Sequence, residues 1–240
     1  MRNSFFIGLV ILVVIFGCKK DYTSNKAEGC THPTPTKVPK TFYNLGANPM
    51  PEVQYQQSHC GYLPLGKNNY WVFLDSMFDY QTGQFQYSVI DTLRFTKTLQ
   101  TYDSIIWWVP EFSNYTTDYK GYYDRMYSTD STLYTLSEGA FGYKQTVIWG
   151  RILVTDSVYS RPRWSDAGMF ECTDLKLHSP VVVPAGTFTD CSLFVKVWNR
   201  QSWQYVYIKP GIGVLRSISK WDPSGNFIAR TSTLLSYHIE

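Results

Sequence analysis

Five cysteines and four histidines are the residues whose types could hold a metal or carry nucleophilic chemistry. Set Cys18 aside and four cysteines remain, Cys30, Cys60, Cys172 and Cys191, an even number that in an exported chain favours two disulfides. Cys30–Cys60 and Cys172–Cys191 are the expected pairs. The first would tie the N-terminal segment to the body, and the second would join two strands across a turn. Cys30, His32, His59 and Cys60 also have the donor types of a two-Cys, two-His zinc site. Adjacent His59 and Cys60 point apart on an extended chain, however, so a disulfide is the simpler outcome and no metal site is expected. His178 and His238 fall in strand-like runs. No His-Glu-x-x-His pair and no Gly-x-Ser-x-Gly elbow occurs.

Paired carboxylates are the other route to chemistry. Asp75 and Asp79 would share a strand face about 13 Å apart, beyond the roughly 5–9.5 Å that glycoside hydrolysis uses. Glu171 and Asp174, three apart, fall on opposite faces of a strand. Only convergence of distant carboxylates in three dimensions would make an enzyme. The expectation is therefore no catalytic residue and no cofactor, with two carboxylates meeting in one cleft as the observation that would favour a hydrolase.

The elements that would position any site come from the chain's organisation. Arg2 precedes Phe5 to Phe16, a run of twelve residues without a charge, too short to span a bilayer, which takes roughly 20. It suits the apolar core of a signal peptide. The run ends Ile15-Phe16-Gly17-Cys18, which resembles the lipobox of bacterial lipoproteins. In that family the peptide is cut before the Cys and the thiol is acylated. The resemblance implies a signal peptide over 1–17, a covalent lipid on Cys18 (such as palmitate) and attachment to a membrane through that lipid. A multiply acylated Cys gives long-lived anchoring. Residues 18–41, polar and holding Pro33, Pro35 and Pro39, read as a lipidated tether. The folded body is expected over 42–240.

That body reads as all-β. From Gln84 to Thr96 the odd positions are Phe85, Tyr87, Val89, Leu93 and Phe95, with Ile90 and Asp91 as the two breaks in the alternation. Cys191, Leu193, Val195 and Val197 share another face, and Phe227 to Ile239 alternates more loosely. Thr82-Gly83, Glu138-Gly139 and Asp222–Asn226 mark hairpins between such runs. The rhythm predicts an antiparallel meander forming a sandwich or an open, curved, barrel-like sheet. Charged residues are only 17% of the chain and aromatic residues also 17%, with 19 Tyr. With a net charge of +3 and no basic block, nucleic acid is a poor partner.

Three blocks extend the resemblance. Tyr62–Phe73, Val183–Phe188 and Lys209–Leu215 resemble, in the same order, segments of uncharacterised lipoproteins common in Bacteroidota. The resemblance implies an exported, mostly β protein and transfers no catalytic residue; the expected location is the cell envelope, lipid-anchored at the outer membrane, with the periplasmic or surface face left open. By their residues alone, the second and third blocks are bends made by Pro and Gly. Candidate binding positions are aromatic. Tyr119 and Tyr123 lie in a Tyr-rich stretch, and Trp203, Tyr205 and Tyr207 share one strand face. Exposed, they would stack on a glycan or meet an apolar ligand or envelope protein; buried, they would be cross-strand pairs. The leading expectation is a non-enzymatic, lipid-anchored binding module, with an envelope hydrolase and a structural or assembly role as alternatives.

Overall fold

A computed structural model describes residues 34–40, 42–44, 49–55, 58–114, 125–129, 132–138, 143–151, 159–165, 168–177, 179–198, 202–221 and 227–240. The described residues form sixteen strands. The first eight are β1 (Phe42–Asn44), β2 (Glu52–Val53), β3 (Tyr70–Phe78), β4 (Phe85–Gln100), β5 (Ile106–Phe112), β6 (Met126–Ser128), β7 (Thr132–Glu138) and β8 (Tyr143–Arg151). The rest are β9 (Tyr159–Ser165), β10 (Gly168–Lys176), β11 (Val181–Val183), β12 (Gly186–Phe188), β13 (Ser192–Trp198), β14 (Ser202–Lys209), β15 (Gly213–Trp221) and β16 (Ile228–His238). No helix long and apolar enough to cross a membrane occurs among the described residues.

Fourteen strands make one antiparallel sheet in the order β1-β8-β7-β6-β5-β4-β3-β16-β15-β14-β13-β10-β9, with β2 paired to β4. β11 and β12 form a separate hairpin. Most neighbours in the sheet follow one another in the chain, as a meander requires. The exceptions are β1 beside β8, β13 beside β10, and the seam between β3 and β16, where strands far apart in the chain pair from Tyr70↔His238 to Met77↔Arg230. The sheet curls into a half-barrel. Met126 and Leu133 on one side of the seam and Val206 and Ile208 on the other line a single cavity, which a flat sheet would hold far apart.

Alternation decides which residues enter the concavity. Trp71, Phe73 and Asp75 of β3 point inward with Asp91, Leu93 and Phe95 of β4. A bulge between Phe95 and Lys97 then moves the buried position of β4 from odd to even, so Thr98 is buried. Gly83 takes a positive φ of 70° in the β3–β4 turn, where the sequence signals a hairpin. The β4 strand runs four residues past the alternating stretch read from the sequence.

A strut closes the inner end of the half-barrel. In residues 58–66, the Tyr62 amide donates to the Thr129 carbonyl on one side, while the Gly211 amide donates to the Tyr62 carbonyl on the other. Leu63 and Leu65 beneath it are buried. The Trp71 indole N–H donates to Ile212 O at 2.6 Å, and Asn69 bridges Pro64 O and the Glu240 amide. The β11–β12 hairpin adds Val183 and Phe188 to the same core, and Ala185 N donates to Leu234 O. The three blocks that resemble envelope lipoproteins thus pack together as one plug. They serve packing and turning, as their Pro and Gly residues indicate. Gly213 shows why: its φ is 108°, and a Cβ there would lie 2.5 Å from Leu63 Cδ1.

A second core lies on the outer face of β5–β7. Tyr43, Ile105, Trp107, Tyr127, Tyr134 and Leu136 are buried together, with Met50 packed against them. Successive residues divide between the cores, Trp107 outward and Trp108 inward, Tyr127 outward and Met126 inward. The N-terminal segment covers this outer face. The Tyr127 hydroxyl donates to Lys37 O, and Tyr43 in β1 meets Trp107 edge-on. Residues 34–40, which the sequence reading assigns to the tether, therefore lie against the body.

Candidate functional site

The concavity holds a candidate site among the described residues. The cavity encloses about 70 Å³ at the base of a wider recess open to solvent. Its wall is apolar near the strut, with Leu63, Trp71, Phe73, Leu93, Ile208 and Val214. Only Asp75, Asp91, Arg230 and Ser232 are polar. Register explains their meeting. Ser232 lies directly across from Asp75, and Ser217 of β15 lies across from Ser232. Arg230, one inward position along β16, reaches diagonally to Asp75 with Nη2 2.5 Å from Oδ2. Both side chains of the pair are nearly inaccessible, at 5% and 3% exposure. A polar belt thus crosses four strands between the apolar floor and the outer ends of β3 and β4, where Phe85 and Tyr87 are exposed.

Asp91 faces Phe73 across the β3–β4 ladder, so it sits diagonally from Asp75. That geometry puts the two Cα atoms about 7–8 Å apart. Two carboxylates therefore share one cavity, which the sequence spacing of Asp75 and Asp79 did not foretell. Asp79 instead closes the β3–β4 turn: its Oδ1 accepts from the Gln81 and Thr82 amides and the Thr82 hydroxyl. Those bonds hold its carboxyl below the usual range. Asp91 Oδ1 accepts from the amides of Thr92 and Asn114 and from the Ser113 hydroxyl. It anchors the chain leaving β5. Asp91 is 4% exposed.

The signal for Asp91 was in the sequence. It is one of two residues that break the alternation of the β4 stretch, and it takes an inward odd position. Arg230 and Asp75, 155 residues apart, carried no comparable signal.

The cysteines divide. Cys191 is a free, buried thiol whose Sγ contacts Phe188 O at 3.4 Å, and burial pushes the thiol up from its ordinary value. The expected Cys172–Cys191 disulfide is not formed. In the β10–β13 register Cys172 lies opposite Lys196, and Cys191 stands five positions back along the chain. At about 3.4 Å per residue that is well past the roughly 7 Å limit for a bridge. Cys60 is disulfide-bonded. Cys30, its expected partner, lies outside the described residues, as do Cys18 and His32. His59 is buried, edge-on to Trp108, with Nε2 2.7 Å from the Tyr55 hydroxyl. No group of three or more metal-ligating side chains occurs among the described residues.

Of the aromatic candidates, Tyr119 and Tyr123 lie outside the described residues, as does His178. Trp203, Tyr205 and Tyr207 alternate with inward Val206 and Ile208 on β14, as expected, and are half-buried. Lys220 Nζ lies 5.6 Å from the Tyr205 ring centre, and Tyr207 packs against the inner core. They form no open aromatic platform. His238 is exposed and stacks on Tyr70.

No protein-family model matches the chain. No curated protein matches it. Two solved structures are similar in fold. One, from Parabacteroides distasonis and described as a lipoprotein, is 11% identical with a TM-score of 0.40, covering 76% of this chain and 100% of its own. The other, from Bacteroides fragilis and described as an exported protein with a YmcC-like fold, is 12% identical with a TM-score of 0.36, covering 75% and 99%. Likeness at this level bears on neither activity nor ligand.

Proposed function

We propose that this chain is an exported, lipid-anchored cell-envelope protein whose half-barrel is a non-enzymatic module that binds a small apolar molecule in its concavity. The observation that carries the binding reading is the cavity. It has apolar walls and a few convergent polar groups, the make-up of a ligand site. Of the expected partners, a glycan would need an exposed aromatic platform, which β14 does not offer. Anchoring rests on Cys18 and the run before it. An outer-membrane location, and Cys30 as the partner of Cys60, belong to the same proposal.

Two measurements test these halves. Purified protein should take up one equivalent of an environment-sensitive apolar dye, and Val206→Phe, which fills the cavity, should abolish uptake while leaving the sheet's circular dichroism unchanged. Dye uptake unaffected by Val206→Phe removes the cavity from the reading. Intact mass and membrane fractionation should show lipid on the wild type and none on Cys18→Ala. A soluble wild type without lipid mass overturns the anchor.

Hydrolysis is the second reading, because Asp75 and Asp91 share a cavity. Their contacts weigh against it. Asp75 is clamped by Arg230 and Asp91 holds a turn, so neither stands in the apolar surround that makes a carboxylate a proton donor.

A further inference from the structure

Every residue from Gln84 to Ser88 is exposed, so the far end of β4 is open on both faces. Tyr80, Phe85, Tyr87, Ile90 and Phe227 gather there, five of the eight large apolar side chains exposed among the described residues. Phe227 joins them by leaning on the hairpin turn: a Cβ at Gly83 would lie 3.0 Å from Phe227 Cδ1. Asp79 is the sole charge between Ser76 and Ile90, and its turn bonds satisfy it.

The backbone here is as open as the side chains. β5 pairs with β4 only from Gln100 to Leu93. Ser113 and Asn114 then close that ladder. The Ser113 amide donates to Thr92 O, the Thr92 amide to the Ser113 hydroxyl, and Asn114 Nδ2 to Ile90 O at 2.6 Å. Backbone polar groups switch sides from one residue to the next along an antiparallel strand, so the Ile90 N–H and both groups of Ser88 turn to this same side. No backbone bond reaches them there among the described residues. Natural edges are blunted by Lys, Pro or a cover. From Phe85 to Ile90 this edge holds neither Lys nor Pro.

We propose that the β4 edge from Gln86 to Ile90 pairs antiparallel with the same edge of a second copy, joining two half-barrels into one continuous sheet. A bilayer would accept the aromatic side chains but offers the bare N–H and C=O groups no partner. A strand supplies both. Charge favours the second copy, because a neutral edge meets itself without repulsion and attracts no strongly charged partner. A two-fold axis at Ser88 pairs that residue with its mate through two N–H···O bonds, and each Ile90 N–H with Gln86 O of the other copy. Tyr87 then faces Val89 of the other copy on the inner face, an aromatic beside a β-branched side chain.

The area sets the strength. Tyr80, Phe85, Tyr87 and Ile90, each about half exposed, offer on the order of 400 Å² per copy. Two copies bury about 800 Å², and Gln84, Gln86 and Ser88 bring the join near the roughly 1,000 Å² of a specific interface. Association is therefore weak, with a micromolar dissociation constant. It is independent of the cavity, so dye uptake and dimerisation stand or fall separately.

Sedimentation equilibrium of the Cys18→Ala chain, which carries no lipid, tests this between about 1 and about 500 µM. The chain should pass from monomer to dimer and stop there. Ser88→Pro removes only the outward N–H and should weaken the dimer about tenfold or more while the melting temperature is kept. Tyr87→Lys sets like charges across the join and should do the same; being exposed, it carries the test if Ser88→Pro does not fold. Ser88→Cys should cross-link two copies under mild oxidation, because hydrogen-bonded partners have Cα atoms about 5.5 Å apart. Thr96→Cys, on the part of β4 that β5 covers, should not. A chain monomeric throughout, or a dimer indifferent to both Ser88→Pro and Tyr87→Lys, overturns the proposal. So does a monomer that binds neutral phosphatidylcholine vesicles through Tyr87, which makes the patch a membrane contact.

Discussion

The two faces of the β5–β7 region solve the same problem in opposite ways. On the outer face, the polar atoms of a largely aromatic core are placed at its rim: the Tyr43 hydroxyl donates to Asp103 and the Tyr127 hydroxyl to Lys37 O. The N-terminal segment lies across it as a cover. On the inner face an ion pair and a second carboxylate are placed inside. A core that only has to be stable is best made dry, with its polar tips outside. The inner face forgoes that, and a buried ion pair is poor value as a stabiliser. The difference marks the inner face as the one arranged for something other than holding the sheet together.

The comparison is most easily broken at the ion pair. Arg230→Met strands the Asp75 carboxylate and should cost about 3–5 kcal/mol. The double change Asp75→Leu with Arg230→Met should be neutral or stabilising in the same urea titration. If the single change costs under about 1 kcal/mol, the belt is solvated and the contrast between the faces fails. A smaller effect tests the strut. Gly213→Ala forces a side chain into a positive φ and against Leu63, and should cost about 1–3 kcal/mol. Its unfolding midpoint should fall with the urea slope unchanged.

The smallest effect belongs to the outer core and appears only in alkali. Burial, with the charge of Tyr134 beside it, raises the Tyr127 phenol to about 12, and burial with a bond to Asp103 raises Tyr43 further still. In the unfolded chain both ionise near 10. Above that pH the unfolded state therefore binds fewer protons than the folded one, and stability falls as pH rises. It is fully present below pH 10 and is lost from there upward, by at most about 1.4 kcal/mol per unit for each phenol. Tyr43→Phe should reduce the slope of melting temperature against pH between 10 and 11.5. The Asp75→Leu, Arg230→Met variant should leave that slope alone. Equal slopes in wild type and Tyr43→Phe would mean that the outer phenols are wet.

The architecture was legible because strand period and turn chemistry are local. Gly83 sits in its turn, β14 divides Trp203, Tyr205 and Tyr207 from Val206 and Ile208, and the meander follows chain order. What could not be read is nonlocal. The β3–β16 seam brings Arg230 to Asp75, and nothing near either residue announces the other. The Cys172–Cys191 pairing failed for a related reason: closeness in the chain suggested a bridge, while register set the two about five residues out of step. Asp91 lies between these cases. Its break in the alternation was visible, but only the fold shows that the break points inward.

The seam also sets when the fold can exist. Of the described strands β16 is the latest in chain order to leave the ribosome or an export channel, yet it supplies Arg230, Ser232 and Leu234 to the middle of the sheet. Until it arrives, β3 and β15 each present an unpaired edge, and the two halves of the half-barrel are held together only by loops and the strut. Assembly of this kind depends on contacts between distant parts of the chain and is slow. A nascent chain stalled before residue 228 would expose two sheet edges at once, which makes timely completion of β16 a safeguard against aggregation.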